Sequence, residues 1–399
     1  MSSQNSSPKR HCMIVHAHYP LGEPRVEREA QALIHGGYEV DVLCLRSDKE
    51  LAFEVIDGIN IYRLPVRRDK RRGRAAQLLE YLAFFMHVFL RLFTLYPRRK
   101  YKTLQVHNLP DFLVFSTLIP KLAGARVILD LHDLMPEFLA GTSNRSMDSL
   151  PVRILKFQEW ISCRFADHVI TVTDLWRQTL IERGVPAHKV SVVMNVANSH
   201  IFKSETVERE ANGDQRFKLI YHGTLSQHYG IDLILQAVAR LKEDFPLLHL
   251  TVHGRGEYLQ NLLDLAKELR LNGQVTFSTS LLPMADLPSF IRQAHLGIVA
   301  YRRDVFTDGI LPTKLMEYTA LHVPVIAART PAIEAYFDET MVHYFPAENI
   351  DALCEAITYI YNHRERLEQL STESNRFNEK YTWENISKEY LGLVNKLAS

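Results

Sequence analysis

The stretch with the densest chemistry runs from Asp308 to Ala327, DGILPTKLMEYTALHVPVIA. Asp308-Gly309 forms a turn, and Pro312 suits the first turn of a helix, where its missing N–H costs nothing. Backbone N–H groups near Ile310, Leu311 and Thr313 then point out of the helix start, an arrangement suited to a diphosphate. Lys314 and Glu317 stand three apart and share a helix face. The first can counter phosphate charge; the second can accept hydrogen bonds from both hydroxyls of a ribose. An exposed ion pair, worth roughly a few tenths of a kcal/mol, is the plainer account of the same two residues. Gly223-Thr224 directly follows an apolar run, so its backbone can approach a phosphate closely. Gly254-Arg255-Gly256 follows another such run, although a tight turn explains a lone GxG equally well. Arg255, Arg302 and Arg303 are further candidate cations. In the first half of the chain, His132 ends an apolar run within an acidic cluster of Asp130, Asp133 and Glu137. A hydrogen-bonded strand-end histidine is the competing reading. Asp133 and Glu137 either orient an acceptor hydroxyl or cap the segment that follows.

These residues need a scaffold, and the pattern supplies it twice. Cys12 to Ala17, Glu39 to Leu45, Thr103 to Val106, Arg126 to Leu131, His168 to Val172 and Val190 to Met194 are short, β-branched and almost continuously apolar. Such runs are expected of parallel strands covered on both faces. Helical stretches alternate with them: Val26 to His35, Asp111 to Ala123, Arg153 to Phe165 and Leu175 to Arg183. That order implies right-handed βαβ units in a doubly wound sheet, with Ile59 to Leu64 as an added strand. Residues 199–216 are polar and without apolar periodicity, and read as a linker. The alternation then restarts, with strands at Lys218 to His222, His249 to His253, Gln274 to Phe277, Leu296 to Ala300 and Val323 to Ala327. The expected fold is therefore α/β, with two facing Rossmann-like domains over 1–198 and 217–375 and a cleft between them. A C-terminal helix over 376–399 packs back on the first domain. Ligands bind at the C-terminal strand ends of such domains.

A chain of 399 residues exceeds one hydrophobic core, in keeping with two domains. Net charge of +1 argues against a nucleic-acid binder that relies on overall positive charge. The four cysteines have no metal-ligand spacing, no Asp-x-Asp or clustered His/Cys set is present, and no metal is expected. Residues Met1 to Arg10 lack the apolar core of a secretory signal, so a cytoplasmic protein is expected. Leu78 to Tyr96, as a helix roughly 28 Å long, is apolar apart from Glu80, His87 and Arg91, which fall within about 60° of one another. A single polar stripe suits a packed helix with one wet edge or a helix lying in a membrane surface. Arg67, Arg68, Lys70, Arg71, Arg72 and Arg74 precede it, and Arg98, Arg99, Lys100 and Lys102 follow. Each cation beside an anionic leaflet can contribute about 1 kcal/mol, so peripheral membrane contact through Arg67 to Lys102 is an expectation.

The pattern PTKLMEY, an apolar helix end and VPVIA resembles the donor-site signature of family 4 of the retaining glycosyltransferases, which have the GT-B fold. The likeness covers nearly the whole chain. Pro24-Arg25-Val26-Glu27-Arg28-Glu29-Ala30 with Gly37-Tyr38-Glu39-Val40 is similar to the family's first helix and second strand. Val106 to Asp111 and Asp130 to Glu137 are similar to later motifs of its first domain, Asn195 to the asparagine closing it, and Tyr221 to Leu225 to the opening of the donor domain. The resemblance places His132 beside the donor sugar and Gly22 with Glu23 near the acceptor. Two departures stand out. The first of the family's two donor-side glutamates is missing, since its place falls on Gly309 with Asp308 beside it. The family's Arg and Lys after the Gly223 turn are replaced in a region holding Thr224 and Tyr229. A diphosphate leaving group still needs cationic stabilisation, and Lys314 is the best-placed cation.

The resemblance implies retaining, metal-independent transfer of a sugar from a nucleotide diphosphate sugar to an acceptor hydroxyl. A sugar or lipid-linked acceptor in cell-surface polysaccharide or glycolipid assembly is the expected setting, with no cofactor beyond the co-substrate. A nucleotide-sugar epimerase of the same fold and an inactive GT-B partner-binding module are the alternatives. The absence of a GxGxxG after the first strand argues against a nicotinamide-dependent dehydrogenase.

Overall fold

The computed structural model describes residues 9–20, 23–68, 73–199, 201–202, 215–280 and 282–399. Gly22, the cations Lys70, Arg71 and Arg72, the Arg74 side chain and linker residues 203–214 lie outside that description. Contacts divide the chain into two units, residues 1–195 with 384–399, and residues 196–383.

In the first unit, eight strands form one sheet: β1 (Arg10–His18), β2 (Glu39–Leu45), β3 (Phe53–Ile56), β4 (Ile59–Leu64), β5 (Thr103–His107), β6 (Arg126–Leu131), β7 (His168–Thr171) and β8 (Val190–Val192). Their order is β3-β4-β2-β1-β5-β6-β7-β8, parallel except for the β3–β4 hairpin. Strand β3 is a finding. Its Asp57-Gly58 turn, with φ of 48° and 80°, is a hairpin signal that the apolar-run reading passed over. The intervening helices are α1 (Pro24–His35), α2 (Gly73–Arg99), α3 (Leu118–Leu122), α4 (Met135–Thr142), α5 (Leu150–Phe165) and α6 (Asp174–Glu182). The helix expected over Asp111 to Ala123 is a 3₁₀ segment, Asp111–Thr117, followed by the short α3. Its aromatic and β-branched residues are weak helix formers. Ser116 and Thr117 there turn their hydroxyls back to the Leu113 and Val114 carbonyls.

Helix α2 corrects the expected polar stripe. Its core-facing ridge is Phe84, Val88 and Leu92, all fully buried. Glu80 also turns inward, 3.1 Å from His16, and Arg91 lies over the Tyr62 ring at 4.9 Å. Two of the three polar residues therefore face protein, while Leu79, Leu82, Met86, Leu90 and Phe93 face out.

In the second unit, β9 (Phe217–His222), β10 (Leu248–His253), β11 (Val275–Ser278), β12 (Leu296–Val299), β13 (Val325–Ala328) and β14 (His343–Phe345) form a parallel sheet ordered β11-β10-β9-β12-β13-β14. Strand β14 is an addition to the five expected. Helices α7 (Ile231–Leu241), α8 (Leu259–Glu268), α9 (Leu287–Arg292), α10 (Thr313–Ala320), α11 (Pro331–Glu334), α12 (Ile350–Asn362) and α13 (Glu365–Lys380) accompany it. Tyr221, Ile234, Leu250, Ile298 and Ile357 are at the centre of its core. The division expected after residue 375 falls inside α13. Phe377 of that helix stacks on Phe337 at 4.5 Å, which fixes α13 in the second unit. The final helix, α14 (Trp383–Ala398), belongs from Glu384 onward to the first unit. There Tyr390 donates to the Gln105 side chain (2.6 Å) and Tyr38 to Asn395 (2.9 Å).

Candidate active-site clusters

In the first unit, β5 and β6 are neighbours in register, so His107 pairs with Asp130, and His132 follows one step beyond β6. The result is a buried polar cluster at the C-terminal strand ends. Asp130, at zero exposure, accepts from both Arg25 Nε (3.2 Å) and Arg25 Nη2 (3.1 Å), and from Gln105 (3.0 Å). His107 Nδ1 is 3.2 Å and His132 Nε2 3.5 Å from the same carboxylate, and the two rings meet at 3.1 Å. Arg25 also reaches Glu29 (3.1 Å) and donates to the Val193 carbonyl (2.7 Å). Burial opposes charging His132, but Asp130 outweighs it and holds the imidazole above its ordinary pKa. Burial instead pushes His107 down to about 4. Asp130 itself, despite its burial, is held well below the usual carboxylate range by Arg25 and His132. The cluster thus presents one chargeable imidazole, His132, on a fixed anionic base.

Atoms of His107, Asp130 and His132 are close enough together to suggest a metal site. The Asp130 oxygens, however, already accept from a guanidinium, whose positive charge opposes a second cation there.

Glu23 precedes α1, and its burial raises its pKa against the lowering field of His132. Asp133 is likewise raised by burial. Asn108 ties the loops together, accepting from the His132 N–H (2.9 Å) and donating to the Asp133 carbonyl (2.6 Å). Glu137 departs from the expected acceptor role: it is buried and paired with Arg183, which also holds Glu159 at 2.8 Å. Arg25 and Gln105, which carry this cluster, stood in the sequence as unremarkable members of a helix and a strand. Only strand order brings them to Asp130.

In the second unit, β9 ends at His222 and the chain turns at Gly223, with φ of 115°. The Gly254 loop lies directly behind. A Cβ on Gly254 would stand 1.8 Å from the Gly223 carbonyl oxygen, so only glycine permits the two loops to touch. Lys314 comes up from α10 against this turn, its Cε 3.3 Å from where a Cβ on Gly223 would sit. The ammonium is buried among three tyrosine rings, 5.0 Å from Tyr221, 4.7 Å from Tyr229 and 4.9 Å from Tyr301. It donates to the Tyr301 hydroxyl at 3.1 Å. Burial lowers its pKa from 10.5 to about 8, against a raising contribution from Glu317. Glu317, half-buried, accepts from His222 Nε2 at 2.6 Å. The sequence flagged Lys314 and Glu317, but the ring cage and His222 were hidden, since they come from the end of β9, the turn Gln227–Tyr229 and the residues just past β12.

The remaining cations are placed differently from expectation. Arg302 forms a two-pronged pair with Asp232 (2.8 and 2.6 Å) and donates to the Gln227 carbonyl, so it is a structural residue of the α7 start. Arg303 is bound to Asp308, which neutralises both. Arg255 is exposed and donates to the Thr279 carbonyl, and Thr224 is exposed beside it. The turn Asp308 to Pro312 is pinned by Gly309 N–H to the Phe306 carbonyl and by Ala332 N–H to the Asp308 carbonyl. Pro312 then caps α10 in an extended conformation, with Ile310 and Leu311 leading into its start and Thr313 exposed at its first position.

Two family models match the chain: a Glycosyl transferase 4-like domain over residues 22–195 and Glycosyl transferases group 1 over 202–377. A curated relative, the chitobiosyldiphosphodolichol beta-mannosyltransferase of Debaryomyces hansenii, is 24% identical over 337 residues, covering 78% of this chain and 70% of that one. Among solved structures, sucrose-phosphate synthase of Thermosynechococcus elongatus superposes with a TM-score of 0.80 at 17% identity, covering 98% and 99% of the two chains. HepE of Anabaena with UDP-glucose gives 0.73 at 15%, covering 97% and 99%. The chain belongs to family 4 of the glycosyltransferases and has the two-domain α/β GT-B fold.

Proposed function

We propose that this glycosyltransferase uses a nucleotide diphosphate sugar and retains the anomeric configuration, without a metal. The observation that carries the donor assignment is the caged Lys314 against the Gly223 turn, with Glu317 on the same helix face held by His222 from the end of β9. A diphosphate laid on the Gly223 turn gains a cation within a low-dielectric pocket, where charge stabilisation is strongest. Glu317, oriented by His222, accepts from the ribose hydroxyls. His132, held chargeable by Asp130, is the group assigned to the transferred sugar. In the reaction the acceptor oxygen bonds to the anomeric carbon as the carbon–phosphate oxygen bond breaks. The acceptor proton passes to the departing diphosphate.

HepE, a fold neighbour, was solved with UDP-glucose, which supports a nucleotide-sugar donor. The name of the yeast relative specifies a dolichol-linked diphospho-sugar, which supports a lipid-linked acceptor; with such an acceptor the setting is surface glycan or glycolipid assembly at the cytoplasmic face of a membrane. That same name specifies a beta product, and so favours a second reading, inversion from an α-linked donor.

The test is a thermal-shift screen of UDP-, GDP- and ADP-sugars, followed by transfer to lipid-linked acceptors with the product anomer read by NMR. A donor at about a hundred times its dissociation constant stabilises by roughly 2.7 kcal/mol. No shift with any of them removes the donor reading; an inverted product removes retention.

A further inference from the structure

We propose that the outer face of α2, α3 and α5 is a docking surface for an anionic lipid bilayer. On the first unit, α2 packs against α3 and the 3₁₀ segment Asp111–Thr117, and α5 packs against that same segment. Phe85 of α2 meets Phe112 of the 3₁₀ segment at 6.2 Å, and Phe115 of that segment meets Phe165 of α5 at 5.0 Å. Their outward residues are apolar to an extent unusual for a solvated surface. Leu79 is 67% exposed, Phe93 60%, Leu122 80% and Phe157 62%, joined by Leu150 and Ile154 on α5. From Leu79 to Phe93 the stripe on α2 alone runs about 21 Å at the helical rise. Contiguous apolar patches of this kind mark interaction sites.

Charge names the occupant. The only acidic residue in α2 is Glu80, turned inward to His16; the only one in α5 is Glu159, 1% exposed and bound to Arg183; α3 has none. Arg98, Lys100, Lys102, Arg153 and Arg164 are exposed at the ends and margins of the same helices. An apolar face whose three helices turn no carboxylate of their own outward and carry cations at their ends and margins matches the interface of an anionic leaflet. A second copy docked face to face would set basic rim against basic rim, which disfavours self-association. A bilayer span by α2, long and apolar enough by length and composition, would tear Phe84, Val88 and Leu92 out of the core. The helix lies on the membrane rather than through it. None of these residues belongs to the donor cluster, so this surface and the donor reading stand or fall separately.

The test is co-sedimentation of the full chain with phosphatidylcholine vesicles, with and without about 30% phosphatidylglycerol. Expected is binding at least about ten-fold stronger to the anionic vesicles, weakened by salt. Leu82→Gln/Met86→Gln/Leu90→Gln lowers it by a further factor of about ten or more, and Ile154→Gln/Phe157→Gln does so independently. Both variants keep the wild-type circular dichroism; if the triple variant does not fold, the α5 variant decides. Equal binding to both vesicle types, no binding, variants that bind as wild type, or a solution dimer broken by the α5 variant would overturn the proposal.

Discussion

Replacing Lys314 with methionine separates its two effects, on the fold and on the donor. Methionine approximates the apolar stem of the side chain within the tyrosine cage, and removes the charge together with the hydrogen bond to the Tyr301 hydroxyl. In the free protein, burial has lowered the lysine pKa from 10.5 to about 8. At about 1.36 kcal/mol per pH unit, the charged form therefore costs the native state roughly 3 kcal/mol. Because the folded pKa lies below the unfolded one, the unfolded chain binds more protons between pH 8 and 10.5. Wild-type stability then rises with pH across that window, and below pH 8 the full cost is present. Lys314→Met should be more stable than wild type at pH 7, by up to about 3 kcal/mol, with that rise with pH abolished. Donor binding reverses the balance. A diphosphate beside the ammonium raises its pKa again, so binding above about pH 8 takes up a proton. UDP affinity then falls as pH climbs from 8 toward 9.5, by up to about ten-fold per pH unit. The terminal phosphate, with a pKa near 6, is fully ionised throughout this range. Calorimetry in two buffers of different ionisation enthalpy reads the proton count directly. The variant should bind UDP roughly 10- to 150-fold more weakly, the usual worth of a charged hydrogen bond. A flat affinity between pH 7 and 9.5, or a Lys314→Met protein that binds UDP normally, would refute the assignment of this cation to the diphosphate.

Three further outcomes follow from the geometry. Asp130→Asn takes away one of the two carboxylates that hold the buried Arg25 guanidinium, leaving only Glu29, and should cost up to about 3–5 kcal/mol in denaturant unfolding. It should also lower the His132 pKa read by NMR, a change that a purely structural loss would not produce. Gly254→Ala places a methyl group against the Gly223 carbonyl at 1.8 Å. It should destabilise by about 1–3 kcal/mol and weaken UDP binding, because the turn that receives the diphosphate must shift; unchanged binding would show the turn is not used. EDTA should leave transfer unaffected, and restoration of a lost rate by added Mg²⁺ or Mn²⁺ would overturn the metal-free reading.

Much of the architecture was legible because parallel strands covered on both faces must be apolar throughout. Glu39–Leu45 and Arg126–Leu131 could be bounded from the sequence for that reason. The short strands Phe53–Ile56 and His343–Phe345 lie at sheet edges, where burial is partial and the apolar signal fades. Lys314 and Glu317 could be paired from spacing, since both sit on one helix and helical geometry is local. Whether Lys314 was a solvated surface charge could not be read that way. Its environment is set by tyrosines arriving from β9, the following loop and β12, which meet only when the strands order themselves. The same applies to Arg302, a free cation by sequence and a partner of Asp232 in the fold. It applies again to α2, whose polar residues pointed to a wet edge until packing turned Glu80 inward and left the leucines outside. Sequence by itself determined the repeating βα alternation, the glycine turns and the family motifs, because each depends on near neighbours along the chain. Tertiary structure alone decided which charges are spent on one another and which remain for a ligand, because Coulomb partners are chosen by distance in space, and that is fixed by strand order.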